Sequence, residues 1–236
     1  MELGSAVWPG IENGTFVLVP VGSTEQHGPH LPLDTDATIA AEVAREVARC
    51  LPWAKVAPAI AFGSSGEHQD FPGTISIGQD ALRLMLIELV RSASTWAQGI
   101  VFVNGHGGNV PALISAVGQL RAEGQEVAWV PCLAAGADAH AGFTETSLML
   151  HLRPRDVRVD DMAPGNTTPI SALLPHLMRH GVRQMSPNGV LGDPTGATAE
   201  RGRHLFERMV EDVHAAVVDG GIEPNGRLRT VTAARA

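Results

Sequence analysis

The sequence predicts an α/β fold in which helices cover both faces of a mostly parallel sheet. Three observations point there. Short apolar runs end in glycine or polar residues, segments with helical apolar spacing follow them, and the two kinds alternate along the chain. Such alternation builds βαβ units whose strands are buried on both faces. The size fits one domain over residues 1–236, 44% of them apolar, since a domain typically spans roughly 100–200 residues.

Taken in order, residues 16–21 form an apolar run closed by Gly22 and read as a buried strand. Residues 36–50 place Ile39, Val43 and Val47 on one helical stripe. Residues 56–61 are a second strand candidate, leading into the loop Gly63–His68. Residues 80–98 have helical composition, with apolar positions at 82, 85, 86, 89, 90 and 93. A third strand over 100–103 turns through glycines 105, 107 and 108 into a helix over 110–122, and 127–131 is the fourth strand. Residues 144–152 and 196–218 read as further helices. The Pro-, Gly-, Asn- and Asp-rich stretches 153–169 and 181–195 read as loops. Residues 1–14 and 220–236 are expected to be loosely ordered termini.

Composition removes several function classes. A net charge of −8 argues against a nucleic-acid partner, which demands a basic stripe. The one lysine, Lys55, lies in Ala54-Lys55-Val56; no Gly-Lys-Ser/Thr sequence exists for a P-loop, and the absence of tyrosine removes a phenolic acid. Ten histidines remain, and imidazole is the commonest metal ligand and acid–base group. Two distant cysteines, Cys50 and Cys132, suit a reducing compartment. No signal segment and no apolar stretch of about 18–20 residues is visible, so a cytoplasmic location without membrane attachment is expected.

In open parallel sheets ligands bind at the carboxyl ends of strands, and the polar clusters of this chain follow its predicted strands. Glu25 and His27 are two residues apart, on one face of extended backbone; Asp36 follows where a helix should begin. Together they form a donor set for Zn²⁺, Mn²⁺ or Fe²⁺, or a helix cap beside two loop residues. His106 sits in Asn104-Gly105-His106-Gly107-Gly108-Asn109, where no core role suggests itself. A dinucleotide fingerprint there would need glycine at Val110, which argues against a nicotinamide oxidoreductase. His140 and Glu145 lie where a loop enters a helix; Glu145 could simply complement the helix dipole. The loop 63–74, with Glu67, His68 and Asp70, suits a substrate-binding wall or an ordinary surface.

The strings PVGSTEQHGPHLPLDTD, GEHQDFPGTISIG, VNGHGGN, HAGFTETS and GVLGDPTGATAERG resemble the creatininase family of metal-dependent amidohydrolases, from about residue 17 to about 208. The resemblance implies a three-layer α/β/α sandwich, assembled as a homo-oligomer, usually a hexamer, with two divalent ions per subunit (Zn²⁺ and/or Fe²⁺, with Mn²⁺ an option). It places Glu25, His27, Asp36, His106 and Glu145 as metal ligands, Asp36 bridging the ions. His140 becomes the acid–base group, with Glu145 also counted as catalytic. His30, Glu67, His68, Gly107, Gly108 and Asn109 are expected to meet substrate.

Two positions depart from creatininases proper: Gly108 stands where they carry an acid, and Gly136 where they carry a tryptophan. The GEHQ and HAG-x-TETS variants are most similar to the family's peptidase branch in mycofactocin biosynthesis. That branch removes a modified Val-Tyr-derived C-terminal residue from a small ribosomally made precursor peptide. Creatinine hydrolysis and formamidopyrimidine deformylation are the alternatives within the family. A non-catalytic metal- or peptide-binding protein is the alternative outside it.

Overall fold

In the computed structural model, which describes residues 2–134 and 136–230, four strands form one parallel sheet in the order β2-β1-β3-β4. They are β1 (Thr15–Val21), β2 (Ala54–Val56), β3 (Ala97–Asn104) and β4 (Val127–Pro131). Alternation along the strands separates two cores. Leu18, Val101, Val103, Ala128 and Val130 pack against α1 (Thr35–Cys50), α4 (Phe143–Leu152) and α7 (Ala199–Asp219). Val17, Val19, Val21, Ile100, Phe102, Val127 and Trp129 pack against α2 (Gly78–Ala93) and α3 (Val110–Ala122). The result is the expected three-layer α/β/α sandwich, and each fully buried aliphatic or aromatic side chain contributes about 1.5–3 kcal/mol of transfer free energy.

The strand order places the functional cleft. From β1 the chain runs through α1 to the edge strand β2, then returns through α2 to β3 on the other side of β1. The connections therefore diverge between β1 and β3, and a crevice opens at the carboxyl ends of these two strands. Gly105 N–H donates to Val21 O (2.8 Å), which ties the two strand ends together.

Three local expectations need correction. The strand expected over 56–61 starts at Ala54 and ends at Val56, because the next bond of the ladder would come from residue 20 to Ala57 O and Pro20 has no N–H. Ala57 and Ile60 still donate to Leu18 O and Pro20 O (both 2.9 Å). The helix expected to reach 98 stops at Ala93: Thr95 turns its hydroxyl onto Ser92 O (2.9 Å), and β3 begins at Ala97. Helix α5 (Ile170–His180), not expected at all, carries Pro175 in its interior, and a short α6 (Val182–Met185) lies in an expected loop.

Met1 and residues 231–236 of the expected loose termini lie outside the described residues. Of the remainder, Glu2 bridges Val56 and pairs with Arg45 (3.0 Å), while Trp129 N–H donates to Gly226 O (3.1 Å) and Trp129 O accepts from Leu228 N–H (2.8 Å). Among the described residues no helix is long and apolar enough to cross a membrane.

Candidate metal centre

The loop after β1 buries its polar residues. Glu25 N–H donates to Leu33 O (3.0 Å), which turns the chain back on itself, and the side chains of Glu25 and His27 are fully buried. Asp36 lies in the first turn of α1, but the cap position belongs to Asp34. The Asp36 carboxylate faces inward instead, with Oδ1 3.1 Å from His27 Nε2 and Oδ2 3.2 Å from His106 Nδ1. His106 enters directly from β3, and its Nδ1 also lies 3.3 Å from Glu25 Oε2. Glu145, in the first turn of α4, accepts from Ala141 N–H (2.6 Å) and approaches His27 Nε2 at 3.8 Å. That turn is anchored by Asp138, whose carboxylate accepts from Phe143 and Thr144 N–H, and by Ala141 at φ 52°.

Backbone carbonyls set the tautomers, because a carbonyl can only accept. His27 Nδ1–H donates to Glu25 O (3.1 Å), His106 Nε2–H to Ser64 O (3.1 Å) and His140 Nε2–H to Gln26 O (2.7 Å). Each ring thereby turns its other nitrogen toward the carboxylates. Metal-ligating histidines are commonly held this way, by a hydrogen bond from the nitrogen that does not bind.

The donor set fits divalent cations. Glu25 Oε1 and Oε2 and Asp36 Oδ2 are buried and accept no hydrogen bond. Buried carboxylate oxygens that accept no hydrogen bond are costly, and a divalent cation bound between them removes that cost. Glu25, His27 and Asp36 offer ligand atoms within 4.8 Å of one another, as do His27, His140 and Glu145. The two oxygens of Asp36 face different histidines, so the carboxylate stands between a Glu25–His106 side and a His27–Glu145 side.

The charges follow from this crowding. Burial opposes a proton on His27, but Asp36, Glu145 and Glu25 outweigh it and raise its pKa to about 10. Burial likewise opposes charge on His106, which Glu25 and Asp36 hold well above the usual histidine value. Burial pushes Glu145 up to about 7 and drives His140 well below the imidazole range. A raised folded-state pKa contributes stability below the unfolded value and loses it as pH climbs through the folded value. Metal-free protein is therefore expected to lose stability from His27 as pH rises from 6.5 to about 10, read as a falling urea midpoint. Metal-loaded protein, whose His27 carries no such proton, should lack that fall.

A cavity of about 1000 Å³ opens over this floor. Glu67, His68, Gly107 and Gly108 line it, together with Leu133 and the α5 residues Ile170, Leu174 and Met178.

The sequence model of the creatininase family, described as creatinine amidohydrolase, matches residues 6–217. The chain belongs to the creatininase family. It is 54% identical to the mycofactocin precursor peptide peptidase of Mycobacterium ulcerans (strain Agy99), covering 94% of this chain and 90% of that protein. The protein of the same name from Mycolicibacterium smegmatis (strain ATCC 700084 / mc(2)155) is 57% identical, covering 83% and 81%. A solved structure described as "Creatininase Mn" superposes with a TM-score of 0.74 at 25% identity, covering 91% of this chain and 96% of that one.

Within this creatininase fold, the structure brings Glu25, His27, Asp36, His106, His140 and Glu145 to one place and separates two other candidates from it. His30 is not on the cavity wall: it is buried, with Nε2 2.8 Å from the Thr146 hydroxyl and its backbone carbonyl accepting from Arg158 N–H. Asn109 is fully buried and clamps three strand-end loops, accepting from Ser64 N–H and donating to Gly22 O and Asn104 Oδ1. Direct substrate contact, expected of both, does not suit side chains already committed to packing. Sequence reasoning passed over Gln26, Ser64 and Asp138. For Gln26 the available signal was its place between two candidate ligands.

Proposed function

We propose that the protein is a metal-dependent C–N hydrolase that releases the modified Val-Tyr-derived C-terminal residue from a small ribosomally made precursor peptide. The observation that carries the substrate is the 54–57% identity to two relatives named mycofactocin precursor peptide peptidase. The chemistry is supported by the buried carboxylate–imidazole floor of the cavity.

Glu25 and His106 would hold one divalent ion, His27 and Glu145 a second, with Asp36 between them. The donors suit Zn²⁺ and/or Fe²⁺, with Mn²⁺ an option. When bound, such ions lower the pKa of water from about 16 toward about 7 and polarise an amide carbonyl. His140 is neutral at neutral pH, and its Nδ1 faces the floor, 3.7 Å from Glu25 Oε1. There it would take the proton that the attacking water gives up as its oxygen bonds to the amide carbon, and hand it to the departing amine as the C–N bond breaks, a transfer typically worth about 10²–10⁴ in rate. Glu145 is both ligand and a second carboxyl able to hold a proton near neutrality.

Gly107 and Gly108 keep one wall free of side chains, so that an extended peptide end can lie against it. Leu174, 51% exposed, and Met178, 80% exposed, add apolar surface to the same cavity. Free thiols at Cys50 and Cys132 suit a cytoplasmic setting. Trp8, 86% exposed beside Val7, supplies apolar surface of the kind a homo-oligomer buries, and a hexamer is the assembly proposed.

The test is incubation of metal-loaded protein with synthetic modified precursor peptide, followed by mass spectrometry, with a chelated control. Loss of the C-terminal fragment only in the loaded sample is expected. Binding without cleavage would favour a non-catalytic peptide-binding role, and turnover of creatinine or a formamidopyrimidine instead would move the protein to another branch of the family.

A further inference from the structure

We propose that Gln26 is a positioning residue that makes His68 present an N–H to Glu25 and turns the bare nitrogen of His140 toward the same carboxylate. The inference rests on the metal-centre reading for its consequence, since Glu25 matters there as a ligand. The ring arrangement itself is read without any metal.

The side chain of Gln26 is buried between Glu25 and His27. Its amide can sit only one way round. Oε1 accepts from Gly28 N–H (2.9 Å), and Nε2 donates to Gly189 O (3.0 Å). Exchanging the two ends would press N–H against N–H and carbonyl against carbonyl. Nε2 lies 3.0 Å from His140 Nε2 and 2.9 Å from His68 Nδ1; the His140 nitrogen carries the proton it donates to Gln26 O (2.7 Å) and cannot accept, so the second Nε2 hydrogen goes to His68 Nδ1. An amide nitrogen accepts nothing, so His68 Nδ1 must be bare and the ring proton must sit on Nε2. That Nε2 lies 3.4 Å from Glu25 Oε1.

The main chain of the same residue sets the second ring. Gln26 O accepts from His140 Nε2–H (2.7 Å), which leaves His140 Nδ1 bare, 3.7 Å from the same Glu25 Oε1. The two rings lie side by side, 4.3 Å between centroids. Glu25 Oε1 therefore meets one N–H and one lone pair, and Oε2 is left facing His106 Nδ1 at 3.3 Å.

Gly189 keeps this seat open. At φ 81° its backbone favours glycine, and an added Cβ would fall 1.8 Å from Gln26 Oε1.

The arrangement separates two histidines that proximity alone does not. Glu25, His68 and His140 offer ligand atoms within 4.8 Å of one another, as a metal triad would. With Nδ1 held by the Gln26 N–H, His68 could bare Nε2 only by losing its last ring proton, so it steadies the carboxylate that binds rather than binding itself. Partners of this kind typically change metal affinity about 10–100-fold when removed.

The test is long-range ¹H–¹⁵N NMR of the histidine rings in metal-free full-length protein, with zinc affinity measured against a chromophoric chelator. Wild-type His68 is expected as the Nε2–H tautomer. Gln26→Glu offers no N–H to Nδ1 and should move the His68 proton to Nδ1 or charge the ring, with zinc affinity falling about 10–100-fold. Gln26→Met, which neither donates nor accepts, should weaken zinc similarly. His68→Gln, which keeps an N–H, should recover zinc affinity that His68→Ala loses. An Nδ1–H tautomer in the wild type overturns the proposal, and this measurement needs no variant to fold. Unchanged His68 signals and zinc affinity in folded Gln26→Glu also overturn it. A wild type that shows the Nε2–H tautomer but binds no zinc would instead sink the metal-centre reading and leave the positioning of the rings standing.

Discussion

His106→Ala protein is expected to purify without its full metal complement and to show no hydrolysis above background. His106 Nδ1 is the nitrogen facing both Glu25 Oε2 and Asp36 Oδ2, and its other nitrogen is held by Ser64 O. Removing only the outer partner of a ligand typically costs 10–100-fold in metal affinity, so removing the ligand should cost more than about 100-fold. Two buried carboxylates would also lose a cation they share, so the metal-free variant should unfold at lower urea than metal-free wild type. His27→Ala should behave alike on the opposite side of Asp36. His204→Ala, on an exposed face of α7, is the control and should change neither quantity. Elemental analysis and turnover of the precursor peptide measure both. Full metal and full activity in His27→Ala or His106→Ala would show that the centre lies elsewhere.

A single methyl group should do nearly as much damage at residue 108. A Cβ on Gly108 would fall 2.4 Å from His106 Nε2, 2.4 Å from Ser64 O and 2.8 Å from Glu67 Oε1. The first two atoms are partners in the hydrogen bond that aims His106, so Gly108→Ala must break it or tilt the ring. A loss of at least about tenfold in both metal affinity and kcat is expected. Gly107→Ala supplies the contrast, because a Cβ there meets nothing within 4 Å. Its zinc affinity should match the wild type, whatever it does to peptide binding. Equal zinc affinity in the two variants would remove this account of Gly108. Restoring the acid that creatininases proper carry at this position should fail for the same reason: the Glu67 carboxylate already borders that space.

These particulars show what a sequence can disclose. The strand over 127–131 and the helix over 110–122 were legible because burial on both faces, or on one stripe, leaves an unbroken apolar pattern. The strand after α1 was misplaced because Val56–Ala61 is apolar throughout, and only pairing reveals that Pro20 offers no N–H where the ladder would continue. Helix α5 escaped although Ile170, Leu173, Leu174, Leu177 and Met178 repeat at helical spacing, because Pro175 in its interior reads as a helix breaker. The centre showed itself through charged residues in apolar surroundings. Asp36 was open to two readings until Asp34 was found at the cap position. His30 and Asn109 could not be told from cavity residues, since a buried polar group looks alike in sequence whether it meets substrate or a backbone carbonyl. Gln26 showed only its place between two candidate ligands, because its importance lies in which way its amide is turned.

The inward-facing donors reach the centre from four separate stretches of chain: the loop after β1, the first turn of α1, the end of β3 and the first turn of α4. Without a cation, these stretches approach one another through carboxylates that repel. An ion held among them is a clasp between loops as well as a reagent. By mass action, free metal at 100 times its dissociation constant adds about 2.7 kcal/mol to the folded state, a large part of the 5–15 kcal/mol that holds a typical domain together. The metal supply would then set how long the folded protein lasts as well as how fast it works.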